Sequence, residues 1–298
     1  MTQRTPLAII GSGPAGLSAA IYTARADVET LIFGSEPKIA GDYDIDNYFG
    51  FDETISGRDL IHKGMRQAER FGARIIHEKV LGLHHGDTGG FSITTDTGHY
   101  AACGIILAPG VSRVRPGISN LADYEGKGVS YCVSCDGFFY KGRTVVVVGE
   151  GIYAANQALE LLTYTPHVTL YTQGKASTIT PVFQERLTKA GIPVHAAKIV
   201  QLAGENGLSR IILEDGTERE ADGLFVAMGE ASSLDFAYTL GVERNGVFLV
   251  ADAEQRTNIE GVFAAGDCTG GFMQISVAVG EGAKAARSAI AHVKKVCR

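Results

Sequence analysis

The chain has 298 residues, 45% of them apolar and 20% charged, with a net charge of −6 and 38 glycines against 8 prolines. That length favours two domains, each able to bury its own core, and the composition is that of a folded globular protein, not a disordered or collagen-like one. The acidic balance and the lack of clustered Lys and Arg argue against nucleic acid or an anionic membrane as partner, and no apolar run reaches transmembrane length, so small molecules and proteins are the expected partners. MTQRTP runs straight into the strand-like LAII, leaving no room for a secretion signal, and a cytoplasmic location is expected.

The first motif is LAIIGSGPAGLSAAIYTARA. An apolar strand from Leu7 to Ile10 meets Gly11, Gly13 and Gly16, and a small-residue helix follows from about Pro14 to Ala26. In this strand–turn–helix unit Gly11 permits the tight turn, Gly13 lets backbone N–H groups approach a pyrophosphate, and Gly16 allows close helix–strand contact. A second strand, ETLIF, ends at Phe33. Glu36 follows about twenty residues beyond the glycines, where an acid can bind a ribose hydroxyl. Further on, GFSITTDTGHY and AACGIILAPG read as a hairpin and a returning strand.

Of the five cysteines only Cys132 and Cys135, in YCVSCDGFFY, form a pattern. In a reducing compartment an isolated Cys-x-x-Cys is catalytic or metal-binding more often than a structural staple, and the second Cys or His pair that zinc needs is missing, so no metal site is expected. Cys103, Cys268 and Cys297 are expected to be buried or tail thiols. Two cysteines at i and i+3 can close a small disulfide ring whose opening gives a nucleophilic thiolate and a resolving thiol. Asp136 is placed to move the proton that thiol–disulfide exchange requires; alternatively it is a turn residue bonding its own backbone before Gly137.

RTVVVVGEGIYAANQALELL repeats the first motif's form, with Gly149, Gly151 and Ala154 opening a helix patterned Ala155, Ala158, Leu159, Leu162. The stretch between the two turns holds a whole unit and not merely a crossover helix. GVFAAGDCTGG is again a strand followed by glycine, ahead of a helix from about Ile275 to Val293, and it is expected to complete the first domain. The fold class expected is α/β, with two nested Rossmann-like dinucleotide-binding domains.

With these blocks located, the chain resembles the low-molecular-weight thioredoxin reductases over nearly its full length. GSGPAG (with Pro14 and Ala15), YCVSCDGFFY, GLFVAMG and GVFAAGD carry the likeness. The resemblance implies a homodimer and an FAD domain split in sequence, 1–113 plus 241–298, interrupted by a domain at 114–240 bearing the dithiol. It implies that Gly266 and Asp267 contact FAD, and that Gln274 and Ile275 open a helix beside the flavin pyrimidine. It assigns Cys135 to the flavin side, Cys132 to attack on a protein disulfide such as that of thioredoxin, and Asp136 to acid–base work.

The second nucleotide fold departs from the family. After the strand His167 to Tyr171, typical members carry a His-Arg-Arg segment with a further Arg, suited to the 2′-phosphate of NADPH. Here the segment is YTQGKASTIT, with Lys175 as its one cation. The bidentate contacts of guanidinium, worth ~1.5–3 kcal/mol each, are missing. Glu150 and Tyr153 stand in the glycine turn where the family has small or neutral residues, and the tyrosine is expected to fill the phosphate space. NADPH is therefore disfavoured. The resemblance points to subgroups that take electrons from ferredoxin or carry a second FAD in the degenerate site, here Gly149, Gly151, Tyr153 and Ala154. The segment PKIAGDYDIDNYFG also departs, retaining Asn47 and Gly50 of the flavin-edge pattern. The leading expectation is an enzyme passing electrons through FAD to Cys132–Cys135 and on to a protein disulfide. A conventional NADPH-dependent reductase, a flavin-bearing redox sensor and a peroxide-reducing flavoprotein are the alternatives.

Overall fold

The computed structural model describes residues 4–34, 36–41, 44–86, 89–111, 115–131, 133–229 and 231–296, with the side chains at 4–6, 38, 134 and 135 outside that description. Contacts divide the chain into two units, residues 1–112 with 232–298, and residues 113–231.

In chain order the first unit begins with β1 (Arg4–Ile10), α1 (Pro14–Arg25) and β2 (Thr30–Phe33), then the short β3 (Asp44–Ile45) and β4 (Ile55–Ser56), α2 (Gly57–Arg70), β5 (Arg74–Ile76), β6 (Val80–His85), β7 (Phe91–Thr95) and β8 (His99–Leu107). β1 lies parallel between β2 and β8, with Leu7 to Ile10 buried on both faces, as a continuous apolar run requires. The second strand of the expected hairpin and the returning strand are one element. β8 pairs antiparallel with β7 and continues unbroken alongside β1. α1 starts on Pro14, whose preset φ suits a first helical position.

The second unit holds β9 (Val129–Ser130), α3 (Val133–Asp136), β10 (Val145–Val148), α4 (Ile152–Leu161), β11 (Val168–Tyr171), α5 (Pro181–Lys189), β12 (Val194–His195), the antiparallel β13 (Ile199–Ala203), β14 (Arg210–Leu213) and β15 (Glu218–Glu220), and β16 (Gly223–Val226). Its parallel sheet runs β12-β11-β10-β16-β9. The carboxyl ends of parallel strands share one edge. That edge therefore gathers the dithiol segment after β9, the glycine turn after β10, the segment 172–178 after β11 and Gly229 after β16.

The chain then returns to the first unit with α6 (Ser233–Leu240), β17 (Arg244–Asn245), β18 (Phe248–Leu249), β19 (Val262–Ala264) and α7 (Ile275–Val296). β19 joins the first sheet beside β8. α7 lies so close on α1 that a Cβ at Gly282 would come 2.1 Å from the Ala15 carbonyl oxygen, and the Ser18 hydroxyl donates to the Val279 carbonyl at 2.8 Å. One boundary differs from expectation. The second domain was placed at 114–240, whereas α6 belongs to the first unit, packing on β6 with the Leu240 carbonyl 3.0 Å from His85 Nε2.

Cys103 needs correction as well. It is buried, as expected, but disulfide-bonded and not a free thiol, a pairing that no cysteine spacing in the sequence encodes. Cys268 is a free, fully buried thiol, as expected. Cys297 lies outside the described residues. Among those residues there is no metal-ligand cluster and no helix long and apolar enough to cross a membrane.

Candidate active site

The two glycine turns are built alike and differ in what stands before them. In the first, a Cβ at Gly11 would meet the Ala108 carbonyl oxygen at 2.2 Å, and one at Gly16 would meet the Gly11 carbonyl oxygen at 1.9 Å, so both positions must be glycine. Around a Cβ at Gly13 there is nothing within 4 Å. The start of α1 thus faces open space, with helical N–H groups and their partial positive charge available to an anion. Gly266, at φ 82°, brings the turn after β19 to the same place, since its Cβ would lie 2.9 Å from that of Ala15. Burial pushes the carboxyl of Asp267 above its ordinary range. Asn47 Nδ2 donates to Gln274 Oε1 at 3.0 Å, joining two expected flavin-edge residues next to Ile275 at the start of α7. Glu36 sits exposed beyond the end of β2, 3.6 Å from Arg58. An open cradle flanked by two tight glycines, a second glycine turn and a ribose-range acid fit a diphosphate-bearing dinucleotide such as FAD.

Sequence reasoning did not single out Glu281, whose carboxylate accepts from the Gly266 N–H at 2.7 Å and the Thr269 hydroxyl at 3.1 Å and so fixes the turn carrying Asp267. Its place in the middle of α7 gives no local signal.

The second turn starts with the same crowding, a Cβ at Gly149 meeting the Ala227 carbonyl oxygen at 2.1 Å and the Ala154 Cβ at 2.6 Å. Here the space is closed. A Cβ at Gly151 would meet Thr178 Oγ1 at 3.2 Å and the Gly229 carbonyl oxygen at 3.4 Å. Glu150 turns inward, accepting from Lys175 Nζ at 2.8 Å and from the Gly229 N–H at 3.3 Å, while its own carbonyl accepts from the Thr178 N–H at 2.8 Å. Burial raises the Glu150 carboxyl, but the Lys175 hydrogen bond and charge with the surrounding backbone bonds outweigh it and hold the group below the ordinary carboxylate range. Tyr153 is not the obstruction expected. It is 5% exposed and is not among the atoms near Gly151.

After β11, Gln173 adopts φ 59° and is buried. Its amide donates to the carbonyls of Pro116 and Ile199 and accepts the Ile199 N–H, tying this segment to β13 and away from any ligand.

Cys132 lies outside the described residues, and of Cys135 only the backbone is described, within the single turn α3. Around them the chain is well held. Asp136, half-buried, accepts from the Ser130 hydroxyl at 2.6 Å and makes no side-chain cap to the following turn, so the backbone-bonding alternative is not what it adopts. Gly137 is required, because a Cβ there would come 2.6 Å from the Tyr164 ring. Gln157 of α4, 8% exposed, offers its Oε1 to the Val133 N–H at 3.4 Å, linking the second nucleotide fold to the dithiol turn. Neither Ser130 nor Gln157 stands out in the sequence; a lone polar residue on the buried face of α4 is the only trace.

The family model for pyridine nucleotide-disulphide oxidoreductases matches residues 5–282. A thioredoxin reductase from Treponema pallidum is 35% identical over 96% of both chains. The chain belongs to the thioredoxin reductase family. Among solved structures it is similar to the atypical thioredoxin reductase TRi of Desulfovibrio vulgaris Hildenborough, at 73% identity and a TM-score of 0.97 over 98% of this chain and 99% of that one. It is also similar to a ferredoxin-flavin thioredoxin reductase from Clostridium acetobutylicum, at 30% identity and a TM-score of 0.74 over 100% and 99%. Members of this family are flavoproteins that bind FAD, and the chain is an oxidoreductase of the thioredoxin-reductase type, in a family typically homodimeric.

Proposed function

We propose that this flavin disulfide oxidoreductase carries electrons through FAD to Cys132–Cys135 and on to the disulfide of a thioredoxin-like protein, drawing them from a reduced ferredoxin and not from NADPH. The observation that carries the donor reading is the state of the segment after β11: Lys175, its one cation, is held by Glu150 at 2.8 Å, and Gln173 is locked inward. No unpaired cation is left among the described residues of that segment to grip a 2′-phosphate. The likeness to a ferredoxin-flavin thioredoxin reductase supports the same donor. A second flavin gains no support, since the buried Tyr153 presents no ring face.

Bound FAD supplies the link between a donor of single electrons and the two-electron chemistry of a dithiol. The residues of the chain do the rest. The Cys132 thiolate attacks one sulfur of the partner's disulfide, the other leaves as a thiolate that takes a proton, and the Cys135 thiolate then displaces the reduced partner and closes the Cys132–Cys135 bond. Asp136, oriented by Ser130, exchanges the protons these steps move.

Anaerobic stopped-flow reduction tests the donor, watching the flavin's visible absorbance. Reduced ferredoxin is expected to bleach it rapidly, and NADPH or NADH at high concentration only slowly. Fast reduction by NADPH with micromolar affinity would return the chain to the conventional class. Turnover of peroxide without turnover of a thioredoxin disulfide would instead favour the peroxidase reading.

A further inference from the structure

The comparison of the two turns leads beyond the missing arginines, though it rests on the reading that pyridine nucleotide is not the donor. A dinucleotide needs three things at such a turn: tight strand–helix packing, an open approach at the second glycine, and N–H or cationic donors for the diphosphate. The second unit keeps the first of these, at Gly149 and Ala154. It lacks the other two for reasons that converge on one residue, through its carboxylate and its carbonyl. The Glu150 carboxylate takes the Lys175 ammonium at 2.8 Å and the Gly229 N–H at 3.3 Å. Its carbonyl accepts from both the N–H of Thr178 at 2.8 Å and the hydroxyl at 3.3 Å, which places Thr178 over Gly151. Glu150 immediately precedes Gly151, the N-cap of α4, at whose N-terminus a diphosphate would bind, so its carboxylate and such a ligand would be neighbouring negative charges.

We infer that Glu150 is a specificity-determining residue: an internal anion beside the second glycine turn that takes the Lys175 ammonium and the Gly229 N–H and excludes the diphosphate of a dinucleotide. Exclusion has two parts, engaged neighbouring donors and direct repulsion between carboxylate and diphosphate, and both end when the carboxylate is removed.

Isothermal titration of NADP+ into the oxidised, FAD-loaded protein tests this with Glu150→Ser, Glu150→Gln and Lys175→Ala. The Glu150→Ser variant is expected to bind NADP+ more tightly than the parent by about tenfold or more, the scale of one charged contact. Glu150→Gln should gain part of that, while Lys175→Ala, which leaves the carboxylate in place, should gain nothing. If Glu150→Ser does not fold, Glu150→Gln decides the matter alone. A folded, flavin-replete Glu150 variant binding no better than the parent overturns the role of Glu150. Micromolar binding by the parent would overturn the donor reading instead, and the role of Glu150 would then stand or fall on whether its variants bind tighter still.

Discussion

The hydroxyl of Ser130 donates to the carboxylate of Asp136 at 2.6 Å, across the segment that carries the two cysteines. Ser130 ends β9, the edge strand of the parallel sheet, whose pairing with β16 fixes the position from which the hydroxyl meets the acid. Ser130→Ala should therefore lower disulfide-reductase turnover by about tenfold or more, the scale of one hydrogen bond to a charged group, with the flavin spectrum unchanged. Ser130→Thr should restore most of it. The readout that separates orientation from mere packing is the split between kcat, which should fall in Ser130→Ala, and KM for the protein disulfide, which should stay as in the parent. An unchanged kcat would remove Ser130 from the mechanism.

Gly13 and Gly16 make opposite predictions although they lie three residues apart. A Cβ at Gly13 meets nothing within 4 Å, and its φ of −77° is open to any residue. Gly13→Val should give a folded protein with a near-native melting profile as apoprotein and no bound FAD, because the branched side chain fills only ligand space. Gly16→Val should fail to fold, as its Cβ would lie 1.9 Å from the Gly11 carbonyl oxygen, where backbone cannot yield. A yellow Gly13→Val protein with full flavin content would show that the first turn is not the diphosphate site.

That contrast also marks what is legible in sequence. The crowding of Gly16 against Gly11 and of Gly149 against Ala154 is local, set by a strand turning into a helix within six residues, and the small residues of the motif announce it. The closure of the second turn depends on Glu150 meeting Lys175 and Thr178, more than twenty residues on, and on which way one carboxylate points. Tyr153 shows the same limit: its place in the motif put it near the phosphates, while the phase of α4 turns it into the core. The domain boundary at 240 is what the resemblance implies, and it moves to 231 because α6 packs on β6 of the first unit, a long-range contact that no local pattern carries.

The two cysteines of the first unit that the structure describes should behave differently toward alkylation. Burial pushes the Cys268 thiol up to about 12, and its Sγ lies 3.3 Å from the Ala265 carbonyl oxygen. In the native protein at mildly alkaline pH it should resist iodoacetamide, because the thiolate is the reactive form. After denaturation without reductant, peptide mapping should find Cys268 alkylated and Cys103 protected in its disulfide. Alkylation of Cys103 under those conditions would show it to be reduced in solution.

The Glu150–Lys175 pair makes the last prediction, and its sign follows from the direction of the carboxyl shift. The folded state holds Glu150 below the ordinary range, despite the opposing effect of burial, through Lys175 and the neighbouring backbone N–H groups. A lowered folded value means the contribution is fully present above the unfolded carboxyl pKa, ~4.3, and is lost as pH falls through the folded value. Lys175 is partly exposed, so solvent screening limits the contribution to about 1 kcal/mol or less. At neutral pH, Glu150→Gln should melt a few degrees below the parent, in line with that energy for a unit of this size. The gap should persist down to about pH 5 and close in more acidic buffer, where the parent's carboxyl is itself protonated. Raising salt at neutral pH should narrow it as well, since half of the pair faces water. A difference in melting temperature that stays constant from neutral to strongly acidic pH would mean that Glu150 acts through its shape and not through its charge.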